Sequence, residues 1–477
     1  MQNRSILQWI KAISALLIYL LWVLWIGNYW LLLGLPIVFD IYVTKKIPWS
    51  FWKKTKEGEK PSKVVEWIDA LVFALVAVYI INLFLFQNYK IPTSSLEKSL
   101  LVGDHLFVSK VSYGPRMPNA PIAFPLVQNT FPITNSRSYT EWPLWGYNRL
   151  KGFGEVKRND IVVFNFPAGD TIAFKVTNPS YYEIIMGEGL NKVSRNPQML
   201  QGAPIQNSWE RNHFLMDIGR KEVLKQTNIY GEVMWRPVDK RDNYVKRCIA
   251  IPGDTLEIRH NQVFINGQPG IDAPDIQHNY RILTDGTLLN DKFFERLEIS
   301  DEDRGYGGMG PEYNLPLTKE GAQAVKEMPF IQRIVMDEEQ PDSTGFRVYP
   351  YSSDYPWSRD NYGPIWMPKK GATVKLDSKN IVLYERIITA YEGNKLEYKN
   401  GEILINGKPT DQYTFSMNYY FMLGDNRHKS ADSRYWGFVP EDHIVGKPIL
   451  VWLSLNKDKS FPKNIRWNRF FKVVHND

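Results

Sequence analysis

Three serines, one lysine on an apolar strand and one dense polar turn are the residues of this chain best suited to covalent chemistry. The serines stand in "YKIPTSSLEKSLLVGDH", residues 89–105, as Ser94, Ser95 and Ser99, with no histidine beside them except His105. A serine without a histidine still serves as a nucleophile when another base removes its proton, and Ser-Lys pairs do this on several folds. The obstacle is the ammonium: at an ordinary pKa near ~10.4, about one lysine in a few thousand is neutral at pH 7. Lowering that value to roughly 8 costs about 3 kcal/mol, which burial among apolar groups can supply. "NYVKRCIAIPGD" offers such a lysine. Strand alternation puts Tyr244, Lys246, Cys248 and Ala250 on one face and Val245, Arg247, Ile249 and Ile251 on the other, so Lys246 shares its face with no other charge. The third element, "YFMLGDNRHKSADSRYWGFVP" at 420–440, crowds Asp425, Arg427, Asp432 and Arg434 around Ser430, enough for two acid-arginine pairs. Its plain alternative is a solvated turn whose exposed pairs contribute little.

Other chemistries lose ground on what is missing. The histidines at 105, 213, 260, 278, 428, 443 and 475 form no His-x-x-x-His pair and have no cysteine partner, so neither a metal nor a cofactor is expected. Gly-x-Ser-x-Gly and the Gly-x-x-x-x-Gly-Lys phosphate loop are absent as well. Cys248 is the single cysteine, which rules out an intramolecular disulfide and suits a small buried strand residue.

The elements that must position these groups begin in a membrane. No charge occurs from Ala12 to Phe39, and Ala70 to Tyr89 adds 20 uncharged positions, the length a helix needs to cross a bilayer. The first run is long for one crossing and short for two, two being feasible with Lys11 and Asp40 at the interfaces; Trp22, Trp25, Tyr29 and Trp30 suit an interfacial belt. Bulky aromatics in "LLWVLWIGNYW" argue against a cleaved leader. Between the runs, "TKKIPWSFWKKTKEGEKPSK" holds seven lysines against two glutamates, which places it in the cytoplasm and everything after Tyr89 outside. The net charge of +7 derives largely from such stretches. It fits anionic headgroups as partners and gives no reason to expect nucleic acid.

A mainly β outer domain is expected from "NDIVVFNFPAGD", "YVKRCIAIPGDTLEI" and "KPILVWLSL". One helix is signalled in "LTKEGAQAVKEM", with Thr318 as its cap. "LEIRHNQVFINGQP" (256–269) and "LEYKNGEILINGKP" (396–409) echo each other as strand, turn, strand and Asn-Gly turn. The expected plan is an anchor at 1–89, with two or three transmembrane helices and a basic loop at 44–63. A β domain at 90–477 follows, with insertions at about 117–154, 170–240 and 270–394.

Taken together, these stretches resemble the type I signal peptidases, membrane-bound serine proteases with a Ser-Lys dyad. That family follows a span with a Pro-Ser-x-Ser-Met-x-Pro-Thr-Leu box running into Gly-Asp. An Arg-x-Asp-Ile-Val-Val-Phe strand, Tyr-x-Lys-Arg ending in Pro-Gly-Asp, and Gly-Asp-Asn-Arg-x-x-Ser-x-Asp-Ser-Arg come next. Here "IPTSSLEKSLLVGD", "KRNDIVVF", "YVKRCIAIPGD" and "GDNRHKSADSRYWG" stand in the same order. The resemblance implies a β domain of signal-peptidase type, with Ser95 as nucleophile and Lys246 as general base. It implies Thr93 as an oxyanion donor and Ser430 as the serine that hydrogen-bonds and orients the lysine amine. Asp425, Arg427, Asp432 and Arg434 would support the site, while Ile91, Leu96 and Val245 would line pockets for small substrate side chains. Lys98 replaces the usual proline, which puts the rigidity of the turn in question, and its context reads as exposed. The implied substrates are signal-peptide-bearing preproteins, met on the periplasmic side of a bacterial inner membrane, with Trp452, Phe461 and Trp467 resting the domain on lipid. Two rivals stand beside this: a non-catalytic scaffold for exported chains, and a Ser-Lys peptidase acting on itself or one dedicated partner.

Overall fold

Gly27, at φ +75°, ends the first apolar helix, α1 (Ile6–Ile26), because only glycine takes that turn without strain. The chain then folds back along α1 through Leu31–Thr44, and the Tyr19 hydroxyl donates to Leu31 O at 2.7 Å. Leu31–Thr44 is shorter than a bilayer requires. Among the described residues, α1 and α2 (Lys63–Phe84) are the two helices long and apolar enough to cross a membrane. This computed structural model describes residues 6–475 apart from 28, 48–61, 135, 168, 170, 202, 204, 305–309, 343 and 400. Most of the basic loop expected at 44–63 lies outside the described residues.

Two compact units are present, Met1–Gln87 with Ser109–Glu155, and Asn88–Val108 with Val156–Asp477. The stretch 117–154, read above as an insertion of the outer domain, therefore belongs with the helices. In that unit Phe153 packs on Trp25 at a ring distance of 5.2 Å.

The second unit is mainly β. Its principal sheet has eight strands: β1 (Phe86–Lys90), β2 (Asp104–Ser109), β3 (Ile161–Asn165), β4 (Asn243–Ala250), β5 (Tyr419–Leu423), β6 (Val439–Pro440), β7 (Ile444–Ser454) and β8 (Lys472–Val473). Their order is β1-β2-β7-β3-β4-β5-β6, with β8 added on β7. The pairings of β4 with β3 and β5 are antiparallel, setting Val162 opposite Lys246, and Ile161 and Leu423 opposite Arg247. One apolar face gathers Ile91, Leu96, Leu100, Leu106, Ile161 and Val163.

The echoed sequences form the same three-stranded meander twice. Leu256 pairs Ile265 in the first and Leu396 pairs Ile405 in the second. Asn266 and Asn406 both take positive φ, and their side-chain oxygens accept from Thr255 N at 2.8 Å and Lys395 N at 2.9 Å. Thr318 caps helix Lys319–Lys326 as expected, accepting from Gly321 N at 3.1 Å. The stretch 170–240, expected as an insertion, is largely helical. It carries α3 (Tyr181–Arg195) and α4 (Ser208–Lys225), opened by a Ser180–Glu183 capping box and by Asn207. Gly189 and Gly219 let the two helices touch, since a Cβ at Gly219 would lie 1.7 Å from Ile185 O.

Candidate active site

Ser95 sits in a single 3-10 turn, Ser94–Leu96, between β1 and β2. Two features hold that turn against the sheet. Leu96 plugs the apolar face, and Gly103, at φ +90°, allows the chain to pass Leu455 O where a Cβ would stand 1.9 Å away. The turn at Gly424–Ser430 closes over it from the other side, with Asn426 N donating to Ser95 O at 3.1 Å and Asn426 Nδ2 to Ser94 O at 3.3 Å.

Lys246 reaches this turn from β4. Its Nζ lies 2.6 Å from Ser95 Oγ and 3.2 Å from Val245 O, and the residue is only 4% exposed. Burial drives the amine down to about 8, while the carboxylates of Asp432 and Asp425 pull the other way. At that value about one amine in ten is neutral at pH 7, against roughly one in a few thousand for an exposed lysine. The neighbours on its face are uncharged, as alternation predicts: Val162 opposite, and Tyr244 and Cys248 along the strand. Cys248 is a free, fully buried thiol.

The polar turn is not a solvated one. Asp425, Arg427, Ser430, Asp432 and Arg434 are all buried, but their partners differ from a simple pairing within the turn. Asp432 does hold Arg434, at 2.8 Å, and also accepts from Gly424 N at 3.2 Å. Asp425 instead takes Arg247 of β4 in a two-pronged contact at 2.8 and 2.7 Å, with Ser99 Oγ donating at 2.6 Å. Arg427 turns to Asp272 at 3.3 Å. The reason is geometric: Arg247 projects from the face opposite Lys246 and, buried at 2% exposure, requires a carboxylate, which Asp425 supplies.

Several expected positions differ in detail. Ser430 Oγ has no hydrogen-bond partner among the described residues, so the expected bond to the lysine amine is not made, although both Ser430 Oγ and Ser95 O crowd Gly424. Thr93 is extended and exposed, and its hydroxyl does not cap the serine turn. Ile91, Leu96 and Val245 meet in one apolar cluster, but Ile91 and Leu96 are closed core side chains and only Val245 is half-buried. Lys98 is not exposed as read: its side chain is 13% accessible and bonded to residues 297 and 298. Trp452 is half-buried against His105 and Phe107, leaving Phe461 and Trp467 as the open aromatics of that trio. Arg247, Asn426 and Asp303 are site neighbours that sequence reading passed over. For Arg247 a signal existed, since an arginine inside an otherwise apolar strand needs a buried counter-charge.

The family model described as signal peptidase, peptidase S26, matches residues 64–285 and 414–453, more than half of the chain, and these segments hold Ile91, Ser95, Lys246, Arg247 and the turn from Asp425 to Arg434 but not Asp303. The chain belongs to the signal peptidase family. Membership makes it a serine endopeptidase and implies signal-peptide removal. It is similar to signal peptidase I of Buchnera aphidicola subsp. Baizongia pistaciae, 23% identical over 90% of this chain and 89% of that relative. Signal peptidase I of Haemophilus influenzae is 37% identical over 21% of this chain and 28% of its own length. The Helicobacter pylori protein of the same name is 27% identical over 50% of this chain and 62% of its own.

Proposed function

We propose that this family member removes signal peptides from exported preproteins with Ser95 as nucleophile and Lys246 as general base, through an acyl-enzyme. The observation that carries the reading is the 2.6 Å between Lys246 Nζ and Ser95 Oγ at an amine that burial lowers to about 8. With the amine neutral, the hydroxyl is the donor of that bond. Its proton passes to Nζ as Oγ bonds to the scissile carbonyl carbon, and the same proton goes to the leaving amine as the C–N bond breaks. Lys246 then takes a proton from water, whose oxygen attacks the ester carbon; the C–Oγ bond breaks and Ser95 recovers its proton. The Ser95 N–H and, after a rotation of its exposed side chain, the Thr93 hydroxyl would donate to the oxyanion, each such donor being worth about 3 kcal/mol. Ser430 would orient the amine, and Asp425 and Asp432, locked on Arg247 and Arg434, would hold the turn that carries it.

Substrate would lie extended near Val245. Opening of the apolar cluster at Ile91 and Leu96 would be needed to admit a small side chain there. We place α1 and α2 in the bacterial inner membrane, the basic loop in the cytoplasm and the β domain outside. Phe461 and Trp467, 79% and 69% exposed, are the side chains we assign to the headgroup layer. The test is cleavage of a synthetic precursor bearing Ala-x-Ala before the cut. The intact protein should cut it, and Ser95→Ala and Lys246→Met should not. Cleavage surviving either change would remove the dyad, and no cleavage by the intact protein would favour a scaffold.

A further inference from the structure

Lys98 stands where the resembled family carries proline, and it has φ +75°, a conformation that the proline ring, held near about −65°, cannot adopt. Something other than a proline must therefore keep the nucleophile turn rigid. The Lys98 ammonium donates to Leu297 O at 2.7 Å, Glu298 O at 3.2 Å and Glu298 Oε2 at 3.1 Å. These oxygens follow directly on the short helix Asp291–Arg296, whose Phe293 and Phe294 are buried in a core with Tyr280, Leu315 and Val325. On the other side of Ser95, Ser94 Oγ donates to Asp303 Oδ1 at 3.2 Å. Asp303 is 1% exposed and is itself held by Lys429 Nζ at 2.9 Å and Ser300 Oγ at 3.0 Å. Lys429 adjoins Ser430. One short stretch thus grips the nucleophile turn before and after Ser95, and through the same carboxylate grips the turn that carries Ser430. Residues 291–304 lie outside both segments matched by the family model.

We infer that residues 291–304 are a positioning clamp for the nucleophile turn, with Lys98 and Asp303 as its two points of attachment, setting the distance between Ser95 and Lys246. The inference rests on the Ser95–Lys246 reading. Neither residue touches the reacting atoms, so releasing the clamp should slow the chemical step and leave peptide binding nearly intact.

The experiment uses the full chain in detergent and the Ala-x-Ala precursor, comparing Lys98→Met, Asp303→Asn, the double variant, Lys98→Arg and the exposed surface control Arg281→Ala. Each single release should lower kcat roughly ten- to a hundred-fold with KM within about two-fold, because small misplacements of a nucleophile are costly in rate. Lys98→Arg should recover most of kcat, Arg281→Ala should match wild type, and the double variant should lose less than the product of the two single losses. Values of kcat within about two-fold of wild type in folded Lys98→Met and Asp303→Asn would overturn the clamp. So would losses that follow the unfolded fraction in thermal melts without recovery in Lys98→Arg. Ser95→Ala separates the two readings. Cleavage by that variant brings down dyad and clamp together, whereas an inactive Ser95→Ala beside fully active clamp variants brings down the clamp alone.

Discussion

Two buried ionisable groups beside Ser95 have values displaced in opposite directions from a shared main cause. Lys246 is lowered to about 8 by burial, so activity that needs its neutral form should rise about ten-fold per pH unit below 8 and level off above it. A pH profile of kcat/KM with its acid limb centred at about 6 or lower would contradict that assignment. Glu97 is pushed up to about 7, first by burial and then by the charge of Asp303, and its Oε2 has no hydrogen-bond partner among the described residues. Here the folded state binds the proton more tightly than the unfolded chain. The resulting stabilisation is full below about 4.5 and is lost as pH rises through 7. Replacing Glu97 by Gln should therefore raise stability at pH 8 by up to about 3 kcal/mol and have little effect at pH 4, as read by denaturant titration at the two values. An equal shift at both would mean that charge is not the cause. That Lys246 is a candidate base for a serine could be read from residue type, because a strand lysine among apolar neighbours is the kind of amine a serine needs, while the choice of Ser95 came from the resemblance. The burial of Glu97 could not, since nothing in "SSLEKS" announces that residue 97 turns inward.

At the scale of elements, the site is one serine turn held between an apolar sheet face and the turn after β5. Gly424 marks the tightest point. A Cβ there would stand 2.2 Å from Ser430 Oγ and 2.6 Å from Ser95 O, and the second of these is backbone with no freedom to swing aside. Gly424→Ala should therefore lower kcat at least about ten-fold and cost about 1–3 kcal/mol of stability. Near-normal turnover in that variant would show that the two turns can separate without harm. The strands that carry Lys246 and the Gly-Asp step were readable from alternation and from Gly103. The helix pair α3–α4 also had a local signal, Ser180 and Glu183 before apolar residues at Ile184 and Ile185, although the stretch was expected only as an insertion.

For the whole molecule the central claim is sidedness. Cys248 is fully buried, so a cysteine introduced elsewhere can be labelled without competition. A membrane-impermeant thiol reagent added to intact spheroplasts should modify Lys408→Cys of the β domain and spare Lys56→Cys of the basic loop, which should react only after lysis. The reverse pattern would invert the proposed topology. The second apolar helix was plain in the sequence because membrane length and lack of charge are one-dimensional properties, whereas the run from Ala12 to Phe39 left one or two crossings open and its helix ends at Ile26.

What the amino-acid order determined by itself was what depends on local period or local composition: the apolar runs, the strand faces, the duplicated hairpin and a strand lysine with no other charge on its face. Only the tertiary structure decided which acid neutralises which arginine, because Asp425 meets Arg247 across 178 residues of chain. It also decided that Asp303 and Glu97 are buried near Ser95, with Lys98 half-buried beside them, by folding 291–304 onto a turn some 200 residues earlier. Contacts of that range leave no periodic trace; they arise when two buried surfaces each present a charge that water can no longer solvate.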